Sequence, residues 1–299
     1  MHIAVNNCIT ISARTNNERT SSSIIITYYR DTNDAAGATA EWSRRISMDE
    51  KFKVMLSKKI PIADQTLIVG FPGVGLVGSI AANFIVDSLK MEMVGQLHSD
   101  KLPPAAVVQE GIPLAPVRIY QHDNLVILLS DFAIPIQLSN EMAQTILEWQ
   151  DGHSGFKSII TLEGLMAQPT EEKADTKVYG VGSTASARKR LTDAKLDIFD
   201  HGWITGVSGL LLSEGNRIGQ DVICLLADAN AMYPDARSAA KLVQTIDIIL
   251  PEIKLDLKPL IDEAEKIEAN IKTQMDKAKE IVSARQGPAE RMTKSYMYG

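Results

Sequence analysis

The chain has 299 residues and a mass of 32.7 kDa, with 45% hydrophobic and 23% charged residues. Those are globular proportions, with material for one large domain or two small ones. A net charge of -6 argues against nucleic-acid binding built on bulk positive charge. Cys8 and Cys224 lie far apart and form neither a disulfide framework nor a CxxC metal or redox motif, so the chain reads as intracellular and cytoplasmic.

Residues 1–47 differ from the rest. They contain five arginines but no lysine and no proline, and they are rich in Ser, Thr and Asn. Apart from the SIIITYY run at 23–29 their apolar periodicity is weak. An Arg/Ser bias suits an organellar transit peptide, but Glu18, Asp31, Asp34 and Glu41 oppose that reading, and the layout of a signal peptide is missing. The segment is expected to be a poorly ordered extension, or to precede a true start at Met48.

Residues 48–252 read as an α/β core domain. Strands are predicted at TLIVGF (66–71), VRIYQ (117–121), NLVILLS (124–130), KSIITLE (157–163) and DVICLLA (221–227). Several are continuous apolar runs, as expected for strands covered on both faces. Helical patterns occupy 76–89, 138–151, 184–194, 206–217 and 235–249. This order implies a three-layer α/β/α sandwich around a parallel or mixed sheet. The polar, Gly-rich stretch 164–183 reads as a surface loop. Residues 66–86 run without a charge for long enough to cross a bilayer. Pro72, four glycines and Asn83 make a strand, a turn and a buried helix the better account, so no membrane is implied.

Residues 253–286 read as one long helix. Pro259 suits a first helical position. Leu260, Ala264, Ile267, Ile271, Met275, Ala278 and Val282 follow at steps of three and four, a heptad-like stripe that fits either packing on the body or pairing with copies of itself. Asp262–Lys266 and Glu268–Lys272 add i,i+4 ion pairs. Gln286-Gly287-Pro288 ends the helix, and 287–299 is expected to be a flexible tail.

Gly73-x-Gly75-x-x-Gly78, within GFPGVGLVG after Gly70, sits where a phosphate would meet a helix N-terminus. The same glycines also serve close packing of a strand, turn and helix, and the acidic partner expected about 20 residues on is represented only by Asp100 in a loop. A nucleotide- or phosphate-binding enzyme using this loop is therefore one reading of the chain. Other catalytic patterns are missing. The five histidines lack metal spacing, and GHSG (152–155) and GVSG (206–209) each miss the GxSxG elbow by one residue. No metal and no cofactor are expected. Glu110, Asp131, Glu163 and Asp228 close predicted strands, where α/β proteins often place site residues.

The chain ends Met297-Tyr298-Gly299: a hydrophobic residue, a tyrosine and a free carboxylate. Such an ending can place its carboxylate on a buried lysine, its phenol in a hydrogen bond and its apolar side chain in a cleft. Together with TLIVGFPGVGLVGSIAANFIVDSL (66–89), LPPAAVVQEGIPLAPVRIY (102–120) and NLVILLSDF (124–132), it makes the chain resemble the proteasome assembly chaperone family, in its archaeal PbaB-like branch. The resemblance covers roughly residues 60–285 and the terminal motif. It implies a phosphorylase-like α/β/α sandwich without catalytic residues. It also implies an ATP-independent, non-enzymatic protein whose hydrophobic-Tyr-X end docks between α subunits of the 20S proteasome. Homo-oligomers, homotetramers in this branch, are implied as well. The motif maps onto Met297, Tyr298 and Gly299.

Overall fold

The computed structural model describes residues 9–14, 23–29, 41–47, 52–58, 60–149, 155–166 and 176–262. Within the first 47 residues, Ile9–Arg14 (β1), Ser23–Tyr29 (β2) and Glu41–Ser47 (β3) form an antiparallel sheet with β2, the SIIITYY run, in its centre.

The body is built on a nine-stranded mixed sheet. In chain order its first strands are Lys53–Leu56 (β4), Thr66–Gly70 (β5) and Glu92–His98 (β6). A separate hairpin, Val107–Gln109 (β7) and Ile112–Leu114 (β8), interrupts the sheet. Then come Val117–His122 (β9), Leu125–Ser130 (β10), Ser158–Met166 (β11), Val178–Gly182 (β12), Asp197–Ile198 (β13) and Val222–Ala229 (β14). The spatial order is β13-β12-β14-β11-β5-β10-β9-β6-β4. The four adjacent strands β14, β11, β5 and β10 are parallel.

The helices are Val77–Ser88 (α1), Ser139–Glu148 (α2), Ala185–Asp193 (α3), Gly206–Ile218 (α4) and Ala236–Ile249 (α5). One core cluster packs α1, α3 and α5 on one sheet face, and a second packs α2 and α4 on the other. The result is the three-layer α/β/α sandwich, and every strand and helix predicted between 66 and 249 is present.

Register explains how the central strands serve both layers. Ile127, Ile68, Ile160 and Ile223 are neighbours across β10, β5, β11 and β14 and line the first core. Shifted by one residue, Val126, Leu67, Ile159 and Val222 line the second. Alternating faces are both buried, so the strands read as unbroken apolar runs. In α5, Ala239, Leu242, Val243 and Ile246 follow i, i+3, i+4, i+7 and are fully buried. Asp235 caps this helix by accepting the Ser238 N–H at 3.0 Å, and Thr184 caps α3 through the Ala187 N–H.

Two expectations change. The stretch 164–183 is not one loop: β11 runs on to Met166 and β12 occupies Val178–Gly182. Its glycines answer to a helix pressed against the strand, since a Cβ on Gly180 would lie 2.5 Å from Leu191 of α3. The charge-free run 66–86 divides into β5, a turn and α1, and no helix among the described residues is long and apolar enough to cross a membrane.

α1 lies unusually close to the sheet. A Cβ on Gly70 would lie 2.2 Å from that of Ala82, and one on Gly78 would lie 2.3 Å from the Leu162 carbonyl oxygen. Backbone cannot retreat as a side-chain tip can, so Gly78→Ala should destabilise the fold by about 1–3 kcal/mol. Urea denaturation of the variant against the wild-type chain measures this.

Candidate functional site

The loops at the carboxyl ends of parallel strands form the usual crevice of an α/β sheet. Here the connection after β5 leads to α1 on one face, and that after β10 leads to α2 on the other. The glycine-rich turn, Glu163 and the N-terminus of α4 meet beside this switch point.

The turn is filled by protein. Gly75 has φ +61°, which favours glycine, and its carbonyl accepts the Asp235 N–H at 2.8 Å. A Cβ there would lie 2.8 Å from the Asn230 carbonyl oxygen. Gly78 faces the Leu162 and Phe71 carbonyls, and Gly70 faces Ala82. These are packing contacts, and carbonyl oxygens repel an anion. At Gly73, the glycine nearest an opening, the neighbour at the Cβ position is the Glu163 Oε2, 3.0 Å away. A carboxylate there further disfavours phosphate. The geometry thus favours the packing role of Gly70, Gly73, Gly75 and Gly78.

Glu163 carries the most unusual environment. Ser208, in the first turn of α4, donates its hydroxyl to Oε1 at 2.5 Å. Burial pushes the Glu163 carboxyl above its ordinary value, against the hydrogen bond from Ser208, which lowers it. Cys224 lies behind it on β14, and burial together with the Glu163 charge pushes its thiol up to about 12, so it is inert. The serine of GVSG is therefore a carboxylate ligand. The Ser208 hydroxyl donates to Glu163 and not to a histidine, while His98 and His122 pair with Asp100 and Asp123.

The other strand-end acids do not converge on Glu163. Asp131 accepts two bonds from Arg118, at 2.5 and 3.2 Å. Arg118 is fully buried; desolvation opposes its charge, but hydrogen bonds to Asp131 and Tyr120 outweigh that, and its pKa is raised. A further bond, to the Ala115 carbonyl, ties down the segment just after β8. Glu110 sits in the turn of the β7–β8 hairpin at φ +51°. Asp228 lies within β14, raised by burial and lowered by Lys177. Among the described residues no group of three or more His, Cys, Asp or Glu is placed to hold a metal.

Two concavities or surfaces carried no signal in the sequence. An open cleft of about 390 Å³ runs between β12, residues 199–204 and α4. The loops around the strand ends also expose large apolar side chains, Trp203 and Met232 most of all. Isolated residues in loops leave no periodic trace, so neither feature was legible in advance. Of the helix stripe, Leu260 is described and is buried in the core cluster of α1 and α5. Ala264, Ile267, Ile271, Met275, Ala278, Val282 and the terminal Met297, Tyr298 and Gly299 lie outside the described residues.

A carboxyl held above its ordinary value has a defined pH signature. Below about pH 4.5 Glu163 is protonated in both folded and unfolded chains and costs nothing. As pH rises through the folded value, the buried carboxylate must ionise and stability falls. Glu163→Gln should therefore raise the melting temperature at pH 7.5 and leave it unchanged near pH 4. Thermal denaturation across that range reads both.

Comparisons place the whole arrangement. The PAC2 family profile matches residues 67–275, from β5 through the parallel body and past α5. An uncharacterized protein of Methanocaldococcus jannaschii is 33% identical over 227 residues, 75% of this chain and 91% of the relative. The crystal structure of Pyrococcus furiosus PbaA, an archaeal homolog of proteasome-assembly chaperone, is similar at 31% identity and a TM-score of 0.69, covering 83% of this chain and all of PbaA. Pyrococcus furiosus PbaB, an archaeal proteasome activator, shares the fold at a TM-score of 0.65 and 22% identity, over 76% of this chain and 99% of PbaB. On a match of this length, carried by the same sheet, glycine turn and helices described above, the chain belongs to the PAC2 family.

Proposed function

We propose that this protein is a proteasome assembly chaperone or activator-like adaptor, non-enzymatic and independent of ATP. The observation that carries the reading is the 31% identity to PbaA over that protein's entire length. The glycine turn supports it, because carbonyl oxygens and the Ala82 methyl fill the space beside Gly70, Gly75 and Gly78 that a bound phosphate would need.

The partner surface in this reading is the α ring of the 20S proteasome. Met297 fills an apolar cleft between α subunits, Tyr298 hydrogen-bonds at its edge, and the Gly299 carboxylate pairs with a lysine. Leu260 anchors the start of the helix to the body, and the stripe from Ala264 to Val282 pairs copies of the chain into a homo-oligomer, so that several tails on one oligomer bind with avidity. A tail of residues 287–299, fully extended, reaches about 45 Å.

Capture of 20S α subunits by the intact chain and by a chain lacking 297–299 tests this. Binding should be lost on truncation, and Tyr298→Ala should reduce it at least tenfold, with the oligomer unchanged in both. Equal capture by truncated and intact chains would remove the tail mechanism.

A further inference from the structure

The open cleft of about 390 Å³ lies at the margin of the large sheet, and none of its lining residues belongs to the glycine turn or to Glu163 and Ser208 beside it. The Lys177 carbonyl and the Ser183 N–H, on either side of β12, both bond to β14 residues. Main-chain groups alternate in direction along a strand, so those of Gly180 and Gly182 face the margin. Gly180 meets β13 and the Phe199 N–H there, and Arg188 takes the Gly182 carbonyl. β13 ends at Ile198, so the Gly182 N–H borders the cleft and not a strand.

The opposite wall is one flank of α4, on which Gly209, Leu212, Ser213 and Asn216 recur at i, i+3, i+4 and i+7. The loop 199–204 is held against this flank, because a Cβ on Gly209 would lie 2.1 Å from the Ile204 carbonyl oxygen. Phe199 is held as well: a Cβ on Gly202 would lie 2.3 Å from its ring, and Tyr179 meets it edge-on at 6.4 Å. Walls fixed by backbone and ring contacts make a site that exists before a ligand arrives, and its volume falls within the range of about 300–1,000 Å³ common to ligand pockets.

Val181, Phe199, Ile204 and Leu212 give the cleft apolar walls, and Asp200 is the one ionisable side chain among its lining residues. Arg188 belongs to α3, which packs on the other face of the sheet from α4. The Ser183 hydroxyl is already engaged, donating to the Gln220 carbonyl and accepting the Val222 N–H. Ser213 and Asn216 stand exposed on α4 and can accept hydrogen bonds. A carboxylate beside an aromatic ring, with further acceptors opposite, selects a cation. A planar guanidinium suits it better than an ammonium, since its fork of N–H donors reaches a carboxylate while its face lies on a ring and its stem on apolar walls. A free amino acid would also bring an α-carboxylate, and no cation lines the cleft to receive it. An arginine within a polypeptide brings a peptide carbonyl instead, for which the Gly182 N–H is a donor.

We infer that this cleft is a recognition site for an arginine side chain of an extended polypeptide segment. The guanidinium sits on Asp200 and Phe199, its stem lies against Ile204 and Leu212, and the main chain of the segment passes Gly182. The site is independent of the terminal tail and of the proteasome reading.

The test is calorimetric titration of the full-length chain with the blocked tripeptide acetyl-Ala-Arg-Ala-amide. Saturable binding is expected at about millimolar concentration or below. The tripeptide with citrulline in place of arginine keeps the shape without the charge and should bind at least tenfold more weakly; the lysine tripeptide should bind severalfold more weakly. Asp200→Asn should weaken the arginine tripeptide at least tenfold, and Ser213→Phe, which fills the cleft from an exposed helix position, should abolish its binding; circular dichroism checks that both variants are folded. A chain lacking 297–299 should bind as the wild type does, which separates this site from the tail mechanism. No saturable binding by the wild type, equal affinity for the citrulline or lysine tripeptide, or unchanged affinity in folded Asp200→Asn would each overturn the proposal. Free arginine binding as tightly as the tripeptide would overturn it too, by giving the cleft to a small molecule.

Discussion

The approach of α1 to the sheet sets the rest of the body. With Gly70 against Ala82 and Gly78 against the Leu162 carbonyl, the helix lies closer than any side chain would permit. That closeness pulls the β5–α1 turn down between neighbouring strands: Val74 presses on Gly164 of β11, and Gly75 receives the N–H of Asp235. The start of α5 is thereby positioned by the same turn. Three elements of one core, β11, α1 and α5, meet on a few backbone atoms, where small changes of volume have no room to relax.

The same packing separates two meanings of a glycine-rich turn. In a phosphate loop, missing side chains leave space for a ligand to reach backbone N–H groups. In this turn the space left by Gly70, Gly75 and Gly78 is taken by carbonyl oxygens and an alanine methyl. Glu163 stands over Gly73, held by Ser208, so the first polar group a ligand would meet is an acid. Identical spacing in a sequence is compatible with opposite electrostatics in space.

Much of the fold was legible because its strongest signals are local. The runs 66–71, 124–130, 157–163 and 221–227 are strands buried on both faces, and their apolar continuity says so. The less regular strands were not visible. β12 carries Gly180 and Gly182 because α3 crosses it closely, which makes a strand look like a loop. β6 begins with exposed Glu92 and Met93 and contains an irregularity before Gly95, which breaks its alternation. Asp131 and Glu110 directly follow β10 and β7, whereas Glu163 and Asp228 lie within β11 and β14, which run past them, and whether these acids converge depends on partners remote in the chain. Asp131 is engaged by Arg118 and Glu163 by Ser208, 45 positions away. The terminal motif drew its meaning from chemistry and resemblance alone.

The two margins of the large sheet have a consequence of their own. On one side it stops at β13, a strand of two residues, and next to it the outward Gly182 carbonyl is already taken by Arg188. On the other it stops at β4, four residues long. Neither margin offers a foreign strand a long row of free amides to template on. The large sheet is thereby guarded against growing by strand addition. Contacts made at these margins must run through side chains, which can be released again, whereas a continuous hydrogen-bonded ladder would hold a partner fast.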